Sequence, residues 1–529
     1  MTSLVLAASS AAQNKLELDF AVKVKEWGYS IRPIKGWTSI PAKQDEKFVS
    51  GHWKPNLDQA RQRGDYDRLQ SGQLSELTII RIAPKVTSTP GGAKEPEPGP
   101  KDSNLKDSAL FKSLQLRNNP KSLEDWIEGT YEGAAKRWAR KPLKGSKMPG
   151  DLVEFGVGAQ AITIGIFKYE NVEWGVVYSA FEEDYRKTWQ DIYTKSIATF
   201  EVTENPNVDL AAAQRRDPNK LKGSEKREAL KASIAGNPGW YAIDKPHYVF
   251  LSNSDNRAYI EGLAKEIEMV REKVYSKIFP PKNTEESISP VRVLDKQSEY
   301  YQYGGPQGSA GYFSPDSGEL VLFTKFEDVT KANSQAYCRS VMYHEAFHQY
   351  VHYAIGDVSP HSWFNEGHGD YFAGMVVNGP SIQFKEFNWR VKFLKQHIRE
   401  KRDLIPLRSL MRFPQREYYT NAGLKYSEGW ALIYFLRNVT NNKRHQQILD
   451  IYFKHLSENI EAFRQKKKEK KDGEDGKPEP VPGIPGLKII NFEDQAKVEK
   501  ILSEAVDKAI EGVDLEALDK EFRAWVEKL

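Results

Sequence analysis

The sequence changes its period once, and that change limits the fold more than any other feature of its 529 residues. From Leu16 to about Glu204, apolar and polar residues alternate over short runs, the period-two signature of strands with a buried face. After 205–237, a polar, alanine-rich stretch that reads as a linker, helical periodicity takes over and dominates beyond Lys331. A chain of this length exceeds one ordinary core, since domains run to roughly 100–200 residues. The expectation is an α+β protein in two units: 16–204 on an antiparallel sheet with few helices, and 238–529, mixed at first and helical later. Strands are expected at Tyr29–Ile34, Lys47–Trp53, Leu77–Ala83, Ala159–Tyr169 and Trp174–Phe181, followed by a helix over Glu183–Ser196. In the second unit Tyr248–Leu251, Val291–Leu294 and Glu319–Phe323 read as strands. Asp255–Ile278 reads as an amphipathic helix capped by Ser254 or Asp255.

Two segments are too polar to bury themselves: 84–107, rich in Pro, Gly, Lys and Glu, and the lysine- and proline-rich run 466–485, expected to be a solvated loop. Residues 1–12 end in Leu4-Val5-Leu6-Ala7-Ala8-Ser9-Ser10-Ala11-Ala12, which reads as the remnant of a signal peptide and points to export to the periplasm or beyond; the missing basic start leaves a frayed Ala/Ser tail on a cytoplasmic protein as the alternative. No apolar run reaches the ~18 residues of a membrane helix, so no stable membrane insertion is expected. The net charge of +4 is spread among interleaved acids and bases, which argues against nucleic acid as a partner. One cysteine, Cys338, excludes an internal disulfide and a thiolate metal site; any metal must be held by His and carboxylates.

Such a set is present. In Val341-Met342-Tyr343-His344-Glu345-Ala346-Phe347-His348-Gln349-Tyr350 the two histidines are four residues apart on a helical segment, about one turn and about 6 Å of rise, so both rings leave the same face. Ala336, Val341, Phe347, Val351 and Ile355 form the apolar stripe of this helix, and Gly356 ends it. Glu345 stands beside the pair, placed to take a proton from a metal-held water without ligating. Downstream, Ser362-Trp363-Phe364-Asn365-Glu366-Gly367-His368-Gly369-Asp370-Tyr371-Phe372 supplies Glu366 as a third ligand. Asp370, one turn on, is a hydrogen-bond acceptor for a ligating imidazole. Gly367 and Gly369 each cost a helix about 1 kcal/mol relative to Ala, which implies close packing against the metal helix. His352 lies too far along its helix to converge, and His361 and His368 are expected at the cleft edge. Val351 and Ala354 exclude the metzincin spacing.

With these residues the chain resembles the gluzincin peptidases, the peptidase MA-like families in which His-Glu-x-x-His is followed by Trp-x-x-Glu-Gly. Within them it looks most like a group of bacterial exported proteins. The resemblance covers about Tyr248 to Leu529 and implies a thermolysin-like core, Zn2+ on His344, His348 and Glu366, Glu345 as general base, and a polypeptide substrate. Gly369 departs from the alanine usual at its place. The family also carries an oxyanion-stabilising tyrosine; in Leu424–Leu436 the matching residue is Tyr426, with Tyr418 and Tyr419 in reserve. The substrate is expected extended beside Glu319–Phe323. The aminopeptidase N family, which shares the zinc motif, anchors the substrate amine through Gly-x-Met-Glu-Asn. Here the matching stretch reads Gly308-Ser309-Ala310-Gly311-Tyr312-Phe313-Ser314-Pro315-Asp316, and Glu319, the nearest substitute, is expected to face solvent, so an endopeptidase is implied. The competing reading is an inactive or latent zincin-fold envelope or binding protein; an open coordination position separates the two. In the first unit, Gly28-Tyr29-Ser30-Ile31-Arg32-Pro33 with Trp37 and the closing Ile197-Ala198-Thr199-Phe200 is similar to the PsbP-like α/β sandwich.

Overall fold

Strands buried on both faces govern the first unit. The computed structural model describes residues 16–44, 46–55, 75–83, 109–131, 140–181, 188–204, 217–281, 288–327, 329–356, 358–473 and 492–529. The signal-like start, 84–107, 205–216 and 474–485 lie outside the described residues. The chain divides into two units, one holding most of 16–204 with 235–238, the other 217–234 and 239–529. The fold is α+β, with several antiparallel sheets. In the first unit the larger sheet runs Trp37–Ser39, Val49–Pro55, Glu76–Ile82, Val172–Phe181, Gln160–Tyr169, Gly150–Val157, Lys141–Pro142, all neighbours antiparallel. Trp174, Val176 and Tyr178 pack with Tyr193 and Ile197 of the helix Gln190–Ile197. On the opposite face Val177, Ile162 and Ile164 pack with Leu123 and Ile127 of the helix Leu123–Thr130. Successive side chains point to opposite faces, so such strands read as nearly continuous apolar runs and are easily found. Gly150–Val157, interrupted by Asp151, Glu154 and Gly156, was not among the expected strands.

The second unit contains a five-stranded mixed sheet: β1 (Tyr241–Asp244), β2 (Tyr248–Ser252), β3 (Ser289–Lys296), β4 (Gly311–Ser314) and β5 (Glu319–Lys325), in the order β1-β2-β3-β5-β4. The central strands are parallel, and β1 and β4 are antiparallel edges. Two expectations change here. The strand with a free edge is β4, because β5 is paired on both sides. Glu319 does not face solvent: Arg292 Nε donates to its Oε1 at 2.8 Å, with the two side chains 1% and 3% exposed, and Tyr303 Oη donates to Oε2 at 2.8 Å. The expected linker also differs, since 217–237 contains the helix Gly223–Ala232, whose Leu230 packs with Ile234, Val249, Leu251 and Ile288. Ala, Lys and Glu are good helix formers, and one apolar stripe suffices to dock them.

Helix α1 (Arg257–Val270) is capped by Asn256, whose Oδ1 accepts from Tyr259 N–H at 3.3 Å, rather than by Ser254 or Asp255. It continues through a π-turn to Ile278. Helix α2 (Lys331–Ile355) starts at the Thr330 cap and stops where Gly356 takes φ +100°. Its stripe keeps Phe347, Val351 and Ile355, but Ala336 is exposed and Cys338 and Met342 take the first turns. Then follow α3 (Ser362–Ala373), a hairpin of Met375–Asn378 with Ser381–Phe384, α4 (Asn388–Arg399) and α5 (Ala422–Tyr434). The first part of 466–485 is not a loop: the helix Ile448–Gly473 runs into it, as its Lys, Glu and Gln content permits. No helix among the described residues is long and apolar enough to cross a membrane.

The Arg292–Glu319 pair makes the sheet testable. Glu319→Leu strands a buried guanidinium and is expected to cost about 3–5 kcal/mol, while Arg292→Met with Glu319→Leu recovers most of the loss. Urea unfolding of the full chain checks this; a double variant no more stable than the single one contradicts it.

Candidate metal centre

Helices α2 and α3 bring three donors to one point. His344 Nε2 lies 3.2 Å and His348 Nε2 3.4 Å from the same atom, Glu366 Oε2. Their ligand atoms all fall within 4.8 Å of one another. The outward nitrogens are occupied as well: His344 Nδ1 is 3.2 Å from Asp370 Oδ1, and His348 Nδ1 is 3.0 Å from Asn365 Oδ1. Both Nδ1 atoms thus have an oxygen acceptor for a ring proton, and with the proton there each Nε2 would be free to ligate a cation. Two imidazole nitrogens and a carboxylate oxygen converge, a group that could hold a cation. The proton affinities report the same field. Burial works against charge on His344, but Asp370 and Glu366 outweigh it and push its pKa well up. Burial would raise Glu366, yet His348 and His344 hold its carboxyl well below the usual range.

The supports reach further along the chain than the sequence motif does. Arg390 of α4 donates from Nε to Asp370 Oδ2 at 2.6 Å, so the acceptor behind His344 is itself held by a charge-assisted bond. Tyr419 Oη donates to Glu366 Oε1 at 2.7 Å. Asn365, Arg390 and Tyr419's contact with Glu366 were not foreseen. Asn365 adjoins Glu366 and could have been found by helix position; Arg390 comes from another helix and leaves no local trace.

Close packing explains both glycines, against different partners. A Cβ on Gly369 would stand 2.7 Å from Cε1 and 2.8 Å from Nδ1 of His344, so the helix gives this place to the imidazole. A Cβ on Gly367 would meet Gly429 O at 2.6 Å and Ile433 Cγ1 at 2.8 Å, so its partner is α5 rather than the helix of the two histidines. The aromatic layer behind, with Phe347 and Phe372 rings 5.1 Å apart, locks α2 to α3.

Glu345, on α2 beside His344, faces the edge strand. A Cβ on Gly311 of β4 would lie 2.5 Å from Val341 Cγ1 and 3.4 Å from Glu345 Cγ, so that glycine lets the strand approach the helix at the carboxylate. The Tyr426 ring lies 4.9 Å from Arg390 Cζ and 6.1 Å from the Tyr419 ring. Burial, then the charge of Glu366, raise its pKa, which keeps the hydroxyl a donor. Tyr418 is unavailable: it is buried and donates to Lys425 O at 2.7 Å. Nor is His368 at a cleft edge. It is fully buried, with Nδ1 donating to Phe364 O at 2.8 Å and Nε2 accepting from Arg437 Nη2 at 3.0 Å. His361 sits at the start of α3 with Nδ1 2.9 Å from Tyr452 Oη, and His352 is buried against Phe313.

Gly369→Ala should therefore destabilise the protein by about 1–3 kcal/mol through overpacking, despite the gain of about 1 kcal/mol in helix propensity. Thermal unfolding of the metal-free variant measures it; a melting temperature at or above wild type contradicts the contact with His344.

Comparison with known proteins adds little to this geometry. No family model matches the sequence, and no curated protein matches it. Among solved structures the chain is similar to the solution structure of cyanobacterial PsbP (CyanoP) from Synechocystis sp. PCC 6803, at 9% identity and a TM-score of 0.20 over 37% of this chain and 98% of that one, a likeness too low to carry an argument.

Proposed function

We propose that this chain is a zinc peptidase of the gluzincin type, with a thermolysin-like core in its second unit, that cuts within polypeptides. One observation carries the reading: His344 Nε2 and His348 Nε2 meet Glu366 Oε2 at 3.2 and 3.4 Å while the outward ring nitrogens face Asp370 and Asn365. Two neutral imidazoles and a carboxylate are a donor set that zinc favours, and among the described residues no fourth His, Cys, Asp or Glu joins the group. Three protein ligands are the pattern of catalytic zinc, whereas structural sites are closed by four, which favours an enzyme over a scaffold.

Bound zinc would lower the pKa of a coordinated water towards neutrality and polarise the scissile carbonyl. Glu345 takes the proton as the water attacks and passes it to the leaving amine. Tyr426 donates a hydrogen bond to the oxygen on which negative charge develops. The substrate adds as a strand to β4, whose Gly311 lies against Glu345; alternate residues of an added strand would face the protein. Glu319 cannot anchor a substrate amine, because Arg292 and Tyr303 already hold both of its oxygens. An ammonium without a carboxylate partner binds poorly out of water, so internal bonds are preferred over free amino termini.

The purified protein is expected to carry about one zinc per chain, lost in His344→Ala, His348→Ala and Glu366→Ala. Asp370→Asn should weaken zinc by about 10–100-fold. Full occupancy in the ligand variants by elemental analysis would sink the assignment.

Glu345→Gln should keep zinc and lose nearly all hydrolysis. Mass spectrometry of a denatured proteome treated with wild type, with Glu345→Gln as control, should show internal cleavages. Loss of single residues from amino termini would overturn the endopeptidase reading, and no cleavage at all would favour the scaffold.

A further inference from the structure

We propose that Tyr419 is a positioning residue whose hydroxyl keeps Glu366 a one-oxygen ligand, an inference that rests on the metal reading above. A carboxylate can hold a cation through one oxygen or through both. Here the two oxygens of Glu366 are divided: Oε2 faces both imidazoles at 3.2 and 3.4 Å, and Oε1 accepts from Tyr419 Oη at 2.7 Å. That hydrogen bond takes up one of the two lone pairs of Oε1 and draws this oxygen towards Tyr419, while Oε2 is left to the imidazoles.

The contact is built in by the turn that carries it. Tyr419 follows the short helix Gln415–Tyr418, and its neighbour Tyr418 is fully buried, donating to Lys425 O at 2.7 Å. Room for Tyr418 exists only because residue 429 is glycine, where a Cβ would stand 2.4 Å from the tyrosine oxygen. Lys425 closes the turn from the other side, its Nζ donating to Thr420 O at 2.7 Å and to Glu417 O. Asn421 completes the reversal into α5 at φ 51°, a left-handed conformation that asparagine tolerates better than most residues. With Tyr418 turned inward and the turn tied at both ends, Tyr419 is directed at Glu366 while its side chain stays 41% exposed. Its ring lies 6.1 Å from those of Tyr418 and Tyr426, and its hydroxyl reaches Glu366.

The chemical consequence concerns the number of places around the metal. Around a bound metal, a one-oxygen Glu366 with two imidazoles would leave room for a water and for the oxygen of a substrate carbonyl; a two-oxygen Glu366 would take one of those places. Tyr419 thus acts through Glu366 and not on the substrate.

The test uses the full chain carrying Tyr419→Phe, which removes one oxygen and keeps the ring. After chelation, zinc is titrated back in competition with an indicator, and cobalt(II) is loaded in parallel, because its visible absorption weakens as coordination rises above four. The variant is expected to bind zinc about 10–100-fold more weakly, to show weaker cobalt absorption, and to melt at the wild-type temperature when metal-free. Equal zinc affinity with an unchanged cobalt spectrum would overturn the proposal, as would a lowered metal-free melting temperature with an unchanged cobalt spectrum, which marks a structural role alone. If wild type binds no zinc, the metal reading and this inference fall together. Absence of peptide cleavage would count against the proposed activity only, since none of these readouts depends on turnover.

Discussion

Taking two imidazoles and a carboxylate out of water at one point is costly unless each is held, and much of the second unit is arranged to keep His344, His348 and Glu366 there. Each donor is fixed from behind by a different residue. Asp370 and Asn365 hold the imidazoles, Arg390 holds Asp370, and Tyr419 holds Glu366. Such a cluster is stable only if its members cannot turn away to find water, so the packing around it has to be rigid. That explains the glycines at 369 and 367, which bring α3 against an imidazole on one side and against the backbone of α5 on the other.

The legible part of this site is the part encoded by helix spacing. His344 and His348 are four apart, as are Glu366 and Asp370, and a fixed spacing on a helix dictates a shared face whatever surrounds it. The penalty of glycine in a helix likewise pointed to close packing at 367 and 369. What surrounds Gly367 was beyond the sequence, because α5 is far along the chain and nothing local says which helix will lie there. His368 shows the same limit: a polar ring within a metal motif reads as exposed, yet Arg437, distant in sequence, satisfies it in the core.

The sheet was harder to read than the helices. Glu319 heads an apolar run, and an acidic residue there suggests solvent unless its partner is known; the partner, Arg292, is on the neighbouring strand. Gly311–Ser314 is too short for alternation to register, so the edge strand was assigned one strand too far inward. In the first unit strands covered on both faces were readily found, and the strand broken by Asp151, Glu154 and Gly156 was not. The α+β class was thus accessible from periodicity, whereas pairing order was not, because period-two alternation carries no information about neighbours.

The order in which the site's parts occur along the chain has a consequence for how it comes together. His344, His348, Asn365, Glu366 and Asp370 all belong to α2 and α3, which are joined by a short connection between Ile355 and Ser362. Closing a short loop forfeits little chain entropy, so contacts of this kind form early relative to those spanning long stretches. The braces Arg390 and Tyr419 arrive from farther along the chain, on α4 and on the turn before α5. The helix pair therefore can gather the donors as a local hairpin, and the later segments close over an arrangement that already exists.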